Sequence, residues 1–456
     1  MQYSPARRTA LVLCGTGAHG AYHAGVVRAL QEAGVKIDVV AGQGIGAGAA
    51  TLAAIDGGSR LWEPGGIWRS PERESFYRWT RPVQIAGWLI LLLVIALAAS
   101  SFLAVAGVLA DPLVSLRFTM IVAAGVALSL ASGMLSVRLR RSGARRRAGG
   151  GWWWAPLGAP VDAEPARRAF SRTIWQLIRG AAREARPAGG VAGRRYSEVL
   201  AENLGQPGFR ELMIVATDLD SRSDVVAAML CEPYRHDFIA PRPGRERRAE
   251  ALDLAGLGRD YALDVMGAAM TPPVACDPRL VTFAADGYWR GETHRLCDRP
   301  GAIARLLDEL AAAGVSQAII AMAVPAARAP HRLRTPRLDI RSRLGEFIAA
   351  AESASLHDAL DLARLRFDAF YVICPSHNPV GPFDVTGAYD EASDRRHSTD
   401  ELMECAYEDA YHQFIDPVVG ASGEQLGGGN VATGRGGASA GQAHGQGIRN
   451  DADTQR

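Results

Sequence analysis

Two glycine-rich turns hold the residues whose type and spacing could do chemistry. The first, Gly15-Thr16-Gly17-Ala18-His19-Gly20, follows an apolar run from Thr9 to Cys14 and precedes a helically spaced segment, Ala21 to Ala33. Backbone amides in such a turn converge and can meet an anion, whether a pyrophosphate or a developing oxyanion. The second, Gly42-Gln43-Gly44-Ile45-Gly46, closes another apolar run, Ile37 to Ala41, and opens an alanine-rich segment from Ala47. At a strand-to-helix junction a G-x-S-x-G turn presents a serine nucleophile. Here the central residue is Gly44, which has no side chain with which to attack a carbonyl.

Other side chains are candidate substitutes. Cys14 ends the first strand, and a thiol attacks well when its pKa is lowered, but the residue reads as a small core side chain. Thr16 lies nearer the amide turn without an identified base. His19 and His23, four apart, suggest a metal pair, yet no third ligand is visible, so neither metal nor cofactor is expected. Asp218 and Asp220, after the apolar run Leu212 to Thr217, read as caps of a turn. GxGxxG alone would suit a dinucleotide. The acidic residue expected at the end of the second strand is missing, because Asp38 stands at that strand's start.

The blocks LVLCGTGAHGAYHAGVVRAL, VVAGQGIGAGAA, LMIVATDLD, GAAMTPP and AADGYWRGETHRL occur in one order. That order resembles the patatin-like phospholipases across roughly residues 8–60 and 195–420. The resemblance implies a three-layer α/β sandwich with a mainly parallel sheet and a serine–aspartate dyad acting on lipid acyl esters. Carried over, the oxyanion loop maps to Gly15, Thr16 and Gly17, the elbow to Gly42 and Gly46, the nucleophile position to Gly44, and the dyad acid to Asp286. Thr16 stands where the family has glycine, His19 where it has arginine or lysine, and Tyr288 where a small residue is usual. Losing a serine nucleophile lowers the rate on the order of 10⁶-fold. The resemblance therefore implies a lipid-binding pseudoenzyme, and Gly44→Ser is expected to gain esterase activity if the rest of the site is intact. The alternatives are a hydrolase with a non-standard nucleophile and, more distantly, a nucleotide-binding protein.

The elements that must position these residues are strand, glycine turn and helix, twice in succession, the pattern of an α/β layer fold. Later apolar runs at Ser316 to Val324 and Ala369 to Cys374 read as further buried strands. A helix is expected around Ala302 to Leu310, and another over Glu401 to Ile415. The pattern is interrupted. No charged residue occurs from Pro82 to Ala110 or from Phe118 to Val137. Each stretch is long enough for a helix across about 30 Å of hydrocarbon. Arg73, Arg78 and Arg81 lie before the pair, and Arg138 to Arg147 with Trp152-Trp153-Trp154 after it. Such flanks place both outer ends on the cytoplasmic side.

The expected organisation is a patatin-like first part over 8–70 and a membrane insertion over 71–160 with helices about 83–110 and 118–137. A second part over 161–420 and a disordered tail over 421–456 follow. A formal charge of +2 supplies no global field for nucleic acid, leaving membrane lipids as the expected partner. The basic stretches Arg242–Arg248 and Arg328–Arg343 read as solvated loops that an anionic lipid surface could engage. Six cysteines without a CxxC pair read as reduced thiols, which excludes a disulfide frame or a zinc ribbon.

Overall fold

The structure is a computed structural model. It describes residues 3–105, 114, 116–117, 120–129, 131 and 158–420, except 181–184, 186, 188, 242–246, 286–288, 326–338, 377–379 and 391–394. The first two units form as expected. Thr9–Gly15 is β1, Gly20–Glu32 is α1, Val39–Gly44 is β2 and Gly46–Ala53 is α2. After a loop come the two-residue strand β3 (Arg78–Trp79) and the helix α3 (Arg81–Val105). The chain returns through β4 (Val161–Asp162), α4 (Glu164–Ile178) and α5 (Gly189–Asn203). Then follow β5 (Glu211–Asp218), β6 (Ser223–Met229), β7 (Ala249–Asp253), α6 (Ala262–Ala269), β8 (Arg279–Thr282) and β9 (Thr293–Cys297). The last units used below are α7 (Ile303–Ala312), β10 (Gln317–Met322), α8 (Ile340–Arg366), β11 (Ala369–Ile373) and α9 (Thr399–Ala410).

One sheet organises the chain, in the order β11-β10-β1-β2-β5-β6-β7, with β9 pairing both β5 and β8. The five strands from β11 to β5 are parallel, and β6 and β9 run antiparallel to β5. Every residue of β1 is buried, because both faces of a parallel sheet are covered by helices. Alternation along the strand sorts its side chains. Leu11 and Leu13 enter one core with α1, α2, α4 and α9, while Ala10, Val12 and Cys14 enter the other with α7 and α8. Parallel strands put their C-terminal ends on one edge, so the ends of β1 and β2 open the crevice where such sheets bind ligands.

The insertion is only partly as expected. α3 passes beside the domain without burial, and its window Arg81–Ala99 is long and apolar enough to cross a bilayer. Trp88 is 66% exposed and Phe102 72%, so this is no core helix. Among the described residues it is one such helix rather than two. The expected second helix is described as Met120–Ser129, too short to span, and the rest of 118–137 lies outside the described residues, as does the tail 421–456. α3 is rooted in the domain by a short ribbon in which Arg78 pairs Asp162 and Trp79 pairs Val161.

α8 was not anticipated. Its N-terminus is capped by the Asp339 carboxylate, which accepts from the Ser342 amide, so the 328–343 stretch includes a helix start. Arg247 is likewise no solvated loop residue, since its guanidinium donates to Glu309 at 2.6 Å and to the Phe238 carbonyl at 2.7 Å.

Candidate active site

β2 ends at Gly44 and α2 starts at Gly46, which makes the second glycine turn a strand-to-helix elbow. Gly44 has φ +64°, in the left-handed region where L side chains are strained. Space, more than strain, decides what this elbow can hold. A Cβ on Gly44 would stand 2.2 Å from the Gly15 carbonyl oxygen and 3.2 Å from Asp298 Oδ2. The nucleophile's place therefore does lie beside a carboxyl, but the backbone of the first glycine turn already fills it.

The reason is the last rung of the sheet. The β1–β2 pairing continues to Gly15 opposite Gly44, and the Ile45 amide donates to the Gly15 carbonyl at 2.8 Å. In an acyl-transfer elbow, the amide after the nucleophile is an oxyanion donor. Here it is spent within the backbone. A second amide of the loop is spent too, because Ala18 N–H donates to the Pro382 carbonyl at 2.7 Å. Gly17, with φ +62°, is pressed so closely against that carbonyl that a Cβ would lie 1.8 Å from its oxygen. A preorganised hole needs free donors about 3 Å from the oxyanion. Neither of these two is free. A pyrophosphate on the Gly15–Gly20 loop would meet the same obstruction from Pro382.

The carboxyl beside the elbow is Asp298, in the turn after β9. Asp286 lies outside the described residues. Its flanks belong to the β8–β9 hairpin, whose ladder runs from Arg279 opposite Leu296 outward to Thr282 opposite Thr293. Ala284 and Ala285 continue away from Asp298 and are exposed. Asp298 is held by its own amide, which donates to the Thr271 carbonyl at 2.8 Å. Its Oδ1 accepts from Gln43 Nε2 at 2.8 Å and from the Arg299 amide at 2.7 Å. Sequence reasoning passed over Asp298 because no glycine follows it. The available signal was its place, directly after the half-buried strand β9 and before the amphipathic helix α7.

Around Asp298 is a closed polar cluster. Thr16 Oγ1 lies 2.5 Å from Glu352 Oε1 and 3.3 Å from Asp298 Oδ2, and His19 Nδ1 lies 3.3 Å from Glu352 Oε2. Thr16, His19, Gln43, Asp298 and Glu352 are each 1% exposed or less. Burial pushes Asp298 up to about 7, the Gln43 amide offsets part of that, and the Glu352 charge adds to it. The Thr16 hydroxyl has one hydrogen, so both its contacts are hydrogen bonds only when one of the two carboxyls carries a proton. Glu352 comes from the middle of α8, the helix missed in the sequence.

The substitute nucleophiles fare differently. Cys14 is fully buried, and burial, then Glu352 and Asp298, push its thiol well above the usual range, so it supplies no thiolate. His23 is lowered to about 4 by burial, is neutral, and donates from Nε2 to the Cys14 carbonyl at 2.9 Å. That nitrogen is engaged, and no group of three metal-ligating side chains forms among the described residues. Asp218 caps its turn as expected, accepting from the Asp220 amide at 2.8 Å and from Ser221 at 2.7 Å, and it also meets His294 Nδ1. At the elbow, Thr16 combines a hydroxyl with an adjacent carboxyl.

The family model for patatin-like phospholipases matches residues 11–128, which include both glycine turns and α3 and end before Asp298. The resemblance read from the motifs is thus shown over that stretch. No curated protein matches the sequence. Among solved structures, the crystal structure of VipD from Legionella pneumophila aligns at 12% identity, over 89% of this chain and 66% of that one, with a TM-score of 0.29. A likeness at that score carries no argument, and the chain spans just under two thirds of that protein's length.

Proposed function

We propose that this chain is a membrane-anchored, patatin-type α/β protein that engages lipid acyl groups without efficient hydrolysis. The single observation that carries the reading is the Gly15 carbonyl. It occupies the Cβ position of Gly44 and takes the Ile45 amide, removing the nucleophile's space and an oxyanion donor together. In this reading Asp298 holds the dyad-acid position, and Thr16 takes over the hydrogen bond that a serine hydroxyl would make.

The decisive substitution is Gly44→Ser. With a carbonyl oxygen 2.2 Å from the new Cβ, the expectation from sequence reverses. The variant remains unlabelled by a fluorophosphonate probe, turns over no lipid ester, and loses about 2 kcal/mol of stability from overpacking. Labelling or turnover in Gly44→Ser would overturn the closed-site reading.

A second reading is favoured by the Thr16–Asp298 contact alone: a hydrolase whose nucleophile is the Thr16 hydroxyl, with Asp298 as its base. It requires probe labelling of the wild type that disappears in Thr16→Val. At 1% exposure Thr16 is closed to a substrate as the site stands, which is why the reading ranks second.

For the anchor, the support is α3, together with the uncharged stretch 118–137 and its arginine flanks. We propose that the two form a hairpin with the domain on the cytoplasmic side. Deleting residues 82–137 is expected to move the protein from the membrane fraction to the supernatant. Continued sedimentation with membranes would count against a spanning anchor.

A further inference from the structure

Val274 is the odd residue at the elbow end of the sheet. It is β-branched, has φ +65°, and is 77% exposed. A β-branched side chain in the left-handed region is an outlier whose strain the surroundings must hold in place. They do so. Pro272 and Pro273 precede it, the Ala275 amide donates to the Pro273 carbonyl at 2.7 Å, and the Cys276 amide to the Pro272 carbonyl at 3.2 Å. The result is an apolar side chain held outward into what would be water.

Its place gives that presentation a meaning. The next residue, Ala275, accepts from the Val161 amide at 2.9 Å, and Val161 pairs with Trp79 at the root of α3. Asp277 accepts from the Ala159 amide at 3.3 Å, in the chain just before that ribbon. On its other side the same turn reaches the site, because the Thr271 carbonyl takes the Asp298 amide. Val274 therefore stands between the exit of the apolar helix and the elbow end of the sheet. Leu280, six residues on, is 60% exposed. Arg78 and Arg81, both exposed, supply positive charge at the helix root. Apolar tips beside cationic residues match the interfacial layer of an anionic bilayer.

We infer that the domain rests on the bilayer with the elbow end of its sheet toward the lipid, and that Val274 contacts the membrane interface beside α3. The inference rests on the anchor proposed above and adds an orientation to it. Exposure alone does not select Val274, since Leu365 is 84% exposed at the end of α8. Leu365, however, precedes the start of β11 and so sits at the opposite edge of the sheet.

The test uses the full chain reconstituted in phosphatidylcholine–phosphatidylglycerol vesicles. An environment-sensitive fluorescent amino acid is incorporated at position 274 or at 365, and nitroxide-labelled lipid is the quencher. Flotation with the vesicles is scored separately. The expected result is flotation of both proteins, with quenching several-fold stronger at 274 than at 365. Flotation with equal quenching, or with none at 274, overturns the orientation while leaving the anchor standing. Failure to float overturns the anchor and the orientation with it. A reporter at 280 guards against a disturbed turn. There, Val274→Asp is expected to leave flotation intact and reduce quenching several-fold, and unchanged quenching overturns the contact.

Discussion

β1 has a buried polar cluster at each end, and the two are built on opposite plans. Before its first residue, the Arg8 guanidinium grips Glu211 with both nitrogens, one at 3.1 Å, and stacks 3.5 Å from the centre of the Tyr234 ring. Past its last residue, Asp298 and Glu352 share Thr16, with Gln43 and His19 as the remaining polar neighbours. The nearest guanidinium, that of Arg299, turns away to Asp224 at 2.5 Å. The first cluster pairs its charge as structural ion pairs do. The second keeps a carboxyl whose ionisation is opposed, which is how functional sites are arranged. The contrast teaches that the elbow end holds a carboxyl whose ionisation is opposed, whereas the other end holds one whose charge is paired.

The largest expected effect lies in the pH dependence of the site end, where two buried groups oppose each other. Asp298, raised from 3.8 to about 7, contributes stability that is lost as pH climbs from about 4 to about 7. His23, lowered from 6.5 to about 4, contributes stability that is lost as pH falls from 6.5 to about 4. At about 1.4 kcal/mol per pH unit for each, the two slopes cancel between pH 4 and 6.5. Chemical denaturation of Asp298→Asn is expected to reveal the His23 slope, about 3 kcal/mol lost on acidification relative to the parent. His23→Gln should reveal the reverse trend. Identical slopes in parent and variants would dissolve the contrast between the two ends.

A comparable effect is expected at the paired end. Glu211→Ala strands Arg8 and is expected to destabilise by about 3 kcal/mol with no new pH dependence near neutrality. A change under about 1 kcal/mol in a urea titration would mean this ion pair is no more structural than an exposed one. The smallest effect returns to the site end. Val274→Asn, which tolerates a positive φ, is expected to stabilise the detergent-solubilised protein by about 1 kcal/mol. A loss of stability would show that the turn carries no strain worth relieving.

Much of this was legible in the residues. Apolar runs, those of β1 and β2 ending in glycine, located β1, β2, β5, β10 and β11 within a few positions, because a fully covered parallel strand has little polar alternation to confuse it. α3 was legible because so long an uncharged stretch has the length and composition of a helix that can cross a bilayer. α8 was not, since alanine, serine and charged residues give it little apolar stripe and its core contacts come mainly from Leu356, Ala359 and Ala363. Glu352 went unseen with it. Asp298 was hidden by the more familiar Asp286-Gly287 pair, and the closure of the elbow was invisible, because the obstructing groups are backbone carbonyls of Gly15 and Pro382.

The last rung between β1 and β2 has a consequence for what the elbow can become. Once Gly44 is glycine, the facing loop can settle into a hydrogen bond that a serine there would forbid. A side chain at position 44 therefore requires that rung to open first, so the two glycine turns can be remodelled only together.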